Sequence, residues 1–371
     1  MNIINSALRR EERAIFDLRE LYEQYGYRKY KMSKFEEYDL YLANKRFLPG
    51  GQVVTFTDPN GRLMALKPDV TLSIAKNVPA EPAEPEKVYY NENVYRTPRG
   101  ASEFKEIMQV GLECIGSVDL YSEYEVVSLA CRSLQKLSDG SVMVVSHMGF
   151  VSGLMESCEL SEQLSEKLLR CIGHKNAHEV ARLCDQNGVA ENAKEKLMAL
   201  TGLCGELKGT IEKAKKISAN DKMRASLDEL RALDEVLSKE EQKTIRLDFS
   251  VVNDLAYYNG LIFQGFINGV PTAILSGGRY DNLMEKLGKH CEAIGFAVYI
   301  DGLERCDDED DGYDVDVLLL YDPDADTAKL AGAVRMLTAN GQRVRVQTAR
   351  SNTLRAKQLL HLGGGGLEIL E

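Results

Sequence analysis

Long uninterrupted apolar runs are missing from this sequence, and with them any stretch of the ~18 or more apolar residues that a membrane-spanning helix needs. The opening MNIINSALRREERAIF carries charge within its first ten residues and lacks the apolar core of a secretory signal. These absences predict a cytoplasmic protein with no membrane partner. Paired cysteines are missing as well. The eight cysteines, Cys114, Cys131, Cys158, Cys171, Cys184, Cys204, Cys291 and Cys306, lie far apart, with no C-x-x-C and no Cys/His cluster at zinc-ligand spacing. Reduced, mostly core thiols are expected, and no metal site or disulfide framework. Positive charge is the third shortage. With 46 Lys and Arg against 57 Asp and Glu the net charge is −11, so the whole-molecule field repels polyanions, and no local basic patch offsets it. A nucleic acid is not an expected partner.

What is present is an ordinary globular composition, 44% hydrophobic and 28% charged over 371 residues, long enough for two or three folded units. Ile15, Leu18, Leu21, Tyr22 and Tyr25 fall at helical spacing before Gly26, which predicts an amphipathic helix over 5–25. QVVTFTDPNGRLMAL (52–66) reads as two strands around an Asn-Gly turn, followed by a turn into a helix over 67–77. The Pro-rich PAEPAEPE (79–86) reads as a stiff surface connection. Strands are expected at 87–96, 103–116 and 141–147, with a helix at 120–137. Between about 151 and 240 the texture turns to Leu, Lys and Glu at helical spacing, read as a helical insertion. Strand character returns at 244–252, 257–268 and 271–276, and a helix follows the turn at Gly277-Gly278-Arg279-Tyr280-Asp281. The charge run DDEDDG (307–312) marks a linker. After it, 313–371 reads as a small β-α-β-α unit, with helices over 325–339 and 352–361 and a flexible glycine tail from Gly363 to Gly366. Runs of strands without strict βαβ alternation indicate an α+β protein with a largely antiparallel sheet flanked by helices.

Three phrases are decoys. Lys31-Met32-Ser33-Lys34 looks like a synthetase KMSK signature, but only one helix precedes it, where that signature follows a nucleotide-binding parallel sheet. Gly363 to Gly366 lacks the Lys-Ser/Thr and the helix of a phosphate loop. Gly277-Gly278 alone is a turn signal.

Four separated segments carry far more information together: TFTDPNGRLMALKPDVT (55–71), NENVYRTPRGASEFKEIMQVGLECIG (91–116), DLAYYNG (254–260) and SGGRYDNLMEKLGKHCEAIGFAVYIDGL (276–303). In this order and spacing they resemble the core of histidyl-tRNA synthetase, over roughly residues 1 to 305. The resemblance implies a class II synthetase fold over 1–306 that dimerises through its first motif. It also implies a histidine pocket: Asp69 for the α-amino group with Thr71 beside it, Arg96 retained from the second motif, Gln109 and Glu113 at the Q-x-G-x-E positions, and Tyr257 and Tyr258 on the imidazole side. Gln109 and Glu113, four apart on a strand, point to the same face. Taken singly, each has a plainer reading: Asp69 as a helix cap, Glu113 as a solvent-facing strand residue, the tyrosines as packing.

The departures from the synthetase pattern fall where ATP would be held. The α-phosphate arginine is Asn253, with Asp254 next to it, Pro98 replaces an acidic residue, Glu103 stands at a downstream arginine, and Gly302 stands at the γ-phosphate arginine, with Arg305 three residues on as a replacement. Activation of an amino acid needs preorganised cations at those phosphates. The segment 313–371 resembles only the first half of the anticodon-binding domain. In these losses the chain resembles the histidyl-tRNA synthetase-like regulatory subunits of ATP phosphoribosyltransferase. That resemblance implies no catalytic residue and no cofactor of its own, histidine as ligand, a short-form catalytic subunit as partner, and a dimer within a hetero-octamer. The alternative it leaves is a divergent, truncated histidyl-tRNA synthetase.

Overall fold

The computed structural model describes residues 9–44, 53–97, 103–252, 257–306, 313–350, 353–363 and 366–370. One compact unit spans Arg10–Arg305, and Cys306–Glu371 belongs to a second.

Alternating side chains in Glu86–Arg96 and Lys105–Gly116 build a long antiparallel hairpin, the second and third strands from one edge of a nine-stranded sheet. The strands follow one another in space as Arg28–Lys29, Glu86–Arg96, Lys105–Gly116, Glu292–Tyr299, Leu275–Arg279, Leu261–Ile267, Ser141–His147, Ile245–Asp248 and Cys204–Gly205. Only two neighbouring pairs are parallel, Arg28–Lys29 with Glu86–Arg96 and Ser141–His147 with Ile245–Asp248. The architecture is the α+β, largely antiparallel one expected.

Register decides which residues share a face. Tyr89, Leu112, Phe296, Gly277, Phe263, Val145 and Leu247 are successive cross-strand partners and form one row across the sheet. The helices Arg10–Gln24 and Leu120–Leu137 cover this side: Tyr22 packs its ring 5.9 Å from Phe296 and 6.3 Å from Tyr89. Gly277 is small for a reason, because a Cβ there would lie 2.4 Å from the Phe296 Cβ and 2.8 Å from the Phe263 ring. The two phenylalanines meet over it, centroids 6.2 Å apart.

The hairpin expected at 52–66 pairs Thr55–Thr57 with Leu63–Leu66, and Phe35–Glu37 adds a third strand. Its turn is held by Asp58 Oδ1, which accepts from the backbone N–H groups of Asn60 and Arg62, while Gly61 takes a φ of +81° that suits glycine. Lys31-Met32-Ser33-Lys34 lies just before this sheet, far from any nucleotide-binding parallel sheet.

The expected helical stretch contains the helices Met148–Ser157, Glu162–Gly173, Ala177–Gln186, Glu191–Leu200, Leu207–Lys215, Asp221–Val236 and Lys239–Thr244. Side-chain caps start several of them, Ser161, Asn176, Asn220 and Ser238, the last in a reciprocal capping box with Glu241. Gly149 and Gly153 let Asp221–Val236 come close: a Cβ at either would fall within 2.6 Å of Ser226 Oγ or 2.8 Å of Met223 Cγ. The stretch is not wholly helical, since Cys204–Gly205 adds an edge strand to the large sheet.

Three sequence expectations fail. Gly277-Gly278-Arg279 is not a turn but the end of the strand Leu275–Arg279, because both neighbouring strands supply partners for its backbone. The helix expected at 352–361 is a strand, Ala356–Gly363, parallel to Val315–Tyr321. The flexible glycine tail is also wrong: Gly363 pairs with Gly366 at the head of a final strand, Gly366–Ile369. A short apolar run has no periodicity of its own to separate helix from strand, and here Leu360 and Leu362 join Val317, Leu319 and Leu337 in the core beneath the single helix Thr327–Ala339. The unit is a four-stranded sheet, in the order Val344–Gln347, Val315–Tyr321, Ala356–Gly363, Gly366–Ile369.

Of the described cysteines, Cys114, Cys131 and Cys184 are buried, Cys158, Cys171 and Cys291 half-buried and Cys204 exposed, all unpaired. No group of three or more metal-ligating side chains occurs among the described residues, and no helix there is long and apolar enough to cross a membrane.

Candidate functional site

One residue away from the aromatic row, the same strands turn a different set of side chains to the opposite face. Glu92, Gln109 and Tyr299 form one row, Tyr90, Gly111, Ala297 and Ser276 the next, and Val88, Glu113, Gly295 and Gly278 the third. Gln109 and Glu113 on this face are nearly fully buried, at 4% and 1% exposure. Buried polar groups are retained only where partners satisfy them.

Glycine shapes the floor. A Cβ at Gly111 would lie 2.5 Å from Tyr90 Oη, and one at Gly295 would lie 1.8 Å from Glu113 Oε2. The middle residue of Q-x-G-x-E is therefore the space that Tyr90 occupies, and Gly295 is the space for the Glu113 carboxyl.

Glu113 accepts from two hydroxyls, Thr71 Oγ1 to Oε1 at 2.7 Å and Tyr280 Oη to Oε2 at 2.7 Å. Neither partner brings a positive charge. Burial pushes its pKa up to about 8, the two hydroxyl donors opposing the shift and the Asp69 charge adding to it. Asp69 lies at the entry of the helix Thr71–Asn77, where its Oδ1 accepts from the backbone N–H of Leu72 at 2.8 Å. Its pKa is also raised by burial, against the Leu72 N–H and the Arg96 charge. The plainer reading of Asp69 as a helix cap is thus correct for one oxygen, and does not remove it from the site.

Around these acids stand aromatic rings. Tyr257 and Tyr258 contact each other at 4.4 Å between centroids, and Tyr257 lies 5.8 Å from Tyr280. Tyr257 also shares a hydrogen bond with Thr71, and burial raises the pKa of all three tyrosines. Arg96 sits with its guanidinium carbon 5.9 Å from the centre of the Tyr299 ring, and Tyr299 is the cross-strand partner of Gln109. The structure therefore brings Asp69, Thr71, Arg96, Gln109, Glu113, Tyr257 and Tyr258 to one place.

It also supplies members the sequence reading passed over: Tyr280, Tyr90 and Tyr299. Tyr280 had a signal, since it sits in the Gly-Gly-Arg-Tyr-Asp phrase; Tyr90 had only its alternation with Glu92. Among the departures at the expected ATP side, Glu103 is exposed ahead of its strand, and Gly302 lies in the 3-10 turn Ile300–Cys306, where a side chain would meet Ile274 only at ordinary contact distance. Asn253, Asp254, Pro98 and the side chain of Arg305 lie outside the described residues.

Two carboxyls, one guanidinium, an amide and hydroxyl-bearing rings gather on and beside one largely antiparallel sheet, the arrangement of a class II synthetase-like fold. Comparison with known proteins gives that class its family. The histidyl-tRNA synthetase family model matches residues 2–303. The ATP phosphoribosyltransferase regulatory subunit of Acetivibrio thermocellus is 30% identical, over 82% of this chain and 75% of its own length. Among solved structures, an ATP phosphoribosyltransferase regulatory subunit/histidyl-tRNA synthetase from Bacillus halodurans is 26% identical with a TM-score of 0.74, covering 91% of this chain and 88% of its own. A chain of the ATP phosphoribosyl transferase (HisG:HisZ) complex from Thermotoga maritima shares the fold, at 20% identity and a TM-score of 0.62, over 77% of this chain and 96% of its own. The chain belongs to the histidyl-tRNA synthetase family and, within it, to the regulatory subunits of ATP phosphoribosyltransferase, which makes it a non-catalytic subunit of that enzyme.

Proposed function

We propose that this subunit binds free histidine at the Asp69–Glu113 site and reports its presence to a separate, short-form catalytic subunit, which condenses ATP with phosphoribosyl pyrophosphate in the first step of histidine biosynthesis. The observation that carries this reading is the Glu113 carboxyl, buried to 1% exposure and met only by neutral hydroxyls. A site of two buried acids with a single nearby guanidinium favours a ligand that brings an ammonium and N–H donors, and a carboxylate for Arg96. A histidine zwitterion has all three: the ammonium for Asp69, the ring N–H for Glu113, the carboxylate for Arg96 and Gln109. Tyr257 and Tyr258 then enclose the imidazole.

Catalytic residues lie on the partner, and feedback inhibition is a coupling free energy of typically ~1 to 3 kcal/mol between the two sites. The assembly proposed is a dimer of this chain within a hetero-octamer, in the cytoplasm, without nucleic acid. Calorimetric titration of the full chain with histidine, followed by histidine-dependent ATP–pyrophosphate exchange, tests the reading. Binding without exchange supports it. Robust exchange would make the chain a synthetase instead, and absence of binding by both the chain and its complex with the catalytic subunit would remove histidine as the ligand.

A further inference from the structure

A second cluster of acids, with Glu123 buried at its centre, lies where the insertion meets the sheet. Glu123 on the helix Leu120–Leu137 is 3% exposed, and His147, at the end of the strand Ser141–His147, is also 3% exposed. Arg279 Nη1 donates to Glu123 Oε1 at 2.7 Å, Arg279 Nε donates to Asp281 Oδ2 at 2.8 Å, and Arg279 Nη2 donates to Glu292 Oε1. The insertion contributes Glu229, on the helix Asp221–Val236, whose Oε2 lies 3.1 Å from His147 Nε2.

The direction of each hydrogen bond can be followed. His147 Nδ1 accepts from the backbone N–H of Gly149 at 3.1 Å, so the ring proton is on Nε2 and is donated to Glu229. Glu229 Oε1 is buried and has no donor among the described residues, and the Glu123 carboxyl is the neighbouring acid whose charge acts on it. The charged and titratable groups facing this pair are Arg279, His147, Asp281 and Glu292. One guanidinium thus serves Glu123, Asp281 and Glu292, and a doubly ionised Glu123–Glu229 contact would oppose a buried and a half-exposed like charge across the unfilled, buried Glu229 Oε1.

We propose that Glu123 and Glu229 share one proton, and that this proton latches the insertion helix Asp221–Val236 to the core through Arg279. A hydroxyl on Glu123 directed at Glu229 Oε1 satisfies the orphaned acceptor and leaves Glu123 Oε1 free to accept from Arg279. Donors then converge on Glu229: Gly149 N–H donates to His147, His147 donates to Glu229 Oε2, and Glu123 donates to Glu229 Oε1 while accepting from Arg279. Removing the shared proton leaves repulsion where the two helices meet. Arg279 immediately precedes Tyr280, so the latch fixes the strand end from which the ligand site's tyrosine hangs. Burial and the neighbouring carboxylate hold the upper proton of the pair far above the ordinary carboxylate range, up to about 8.

The test uses the full chain carrying Glu113→Gln, which removes the other carboxyl that titrates near the same pH. Infrared difference spectra from about pH 6 to about pH 9, with hydrogen exchange over the same range corrected for intrinsic rates, read the proton and the helix separately. The expected result is loss of one protonated-carboxyl band per chain on raising the pH, with amides of Asp221–Val236 exchanging roughly tenfold or more faster. Adding Glu123→Gln, whose amide supplies a permanent neutral donor to Glu229, should abolish both changes and keep the helix protected. Should Glu123→Gln fold poorly, Glu229→Gln supplies the donor from the other side and carries the same expectation. Absence of the band, or an unchanged pH response in the Gln variants, overturns the proposal.

Discussion

Two rows of the large sheet, one residue apart, obey opposite rules. Tyr89, Leu112, Phe296 and Phe263 face Tyr22 and a helix layer, so their rings and chains pack on apolar neighbours, with the Tyr89 hydroxyl donating to Glu23 Oε1, and the row contributes stability. Val88, Glu113, Gly295 and Gly278 face the other way, and there a carboxyl is buried with only hydroxyls to meet it. The same strands, with the same hydrogen-bond ladder, hold both. A period of two lets one sheet be rigid on one face and poised for a ligand on the other.

The largest expected effect comes from breaking the apolar row. Phe296→Ala removes a ring packed against Tyr22 and Phe263 and should cost about 3–5 kcal/mol in urea unfolding. Gly295→Ala should move the difference to the other face. Its Cβ would fall 1.8 Å from Glu113 Oε2, displacing the carboxyl at a cost of about 1–3 kcal/mol and abolishing histidine binding by calorimetry.

Glu113→Gln sharpens the contrast: its amide matches the protonated carboxyl of the free chain and so keeps stability near neutral pH. It cannot ionise against the ligand's N–H donor, so histidine binding should weaken by roughly tenfold or more, the worth of a hydrogen bond to a charged group. The pH dependence fixes the sign. Between the ordinary carboxylate range and about 8 the folded chain keeps a proton on Glu113 that the unfolded chain releases, so stability falls as pH rises and levels above about 8. Glu113→Gln should remove that limb, at most about 1.4 kcal/mol per pH unit, in urea melts at several pH values. At Asp69 the two roles separate by substitution. Asp69→Ala should cost about 1 kcal/mol through the lost bond to Leu72 N–H, whereas Asp69→Asn keeps that acceptor and should lose histidine binding alone.

How much of this was legible in the sequence varied with distance along the chain. The strands Glu86–Arg96 and Ser141–His147 and the helix Leu120–Leu137 carry enough turns of their own periodicity to be placed within a residue or two. Ala356–Gly363 does not, since eight residues of mixed Leu, Lys and Gln become a strand only because Val315–Tyr321 stands beside them. In the site, Gln109, Glu113, Asp69 and the tyrosine pair were visible only through the resemblance that the four motifs carry together. Tyr90 was hidden because its role depends on the absence of a side chain at Gly111, across a register that no local pattern states. The Glu123–Glu229 pair was beyond reach for the same reason: the two residues are joined only by the packing of the insertion on the core.

The account rests on histidine acting through Glu113. The direct test is to reconstitute the catalytic subunit with this chain and measure condensation of ATP with phosphoribosyl pyrophosphate as histidine is added, using wild-type chain and Glu113→Gln. Inhibition by histidine that shifts to roughly tenfold or higher concentration in the variant is the predicted result. Identical inhibition curves with the two chains would place the histidine site elsewhere and contradict the account.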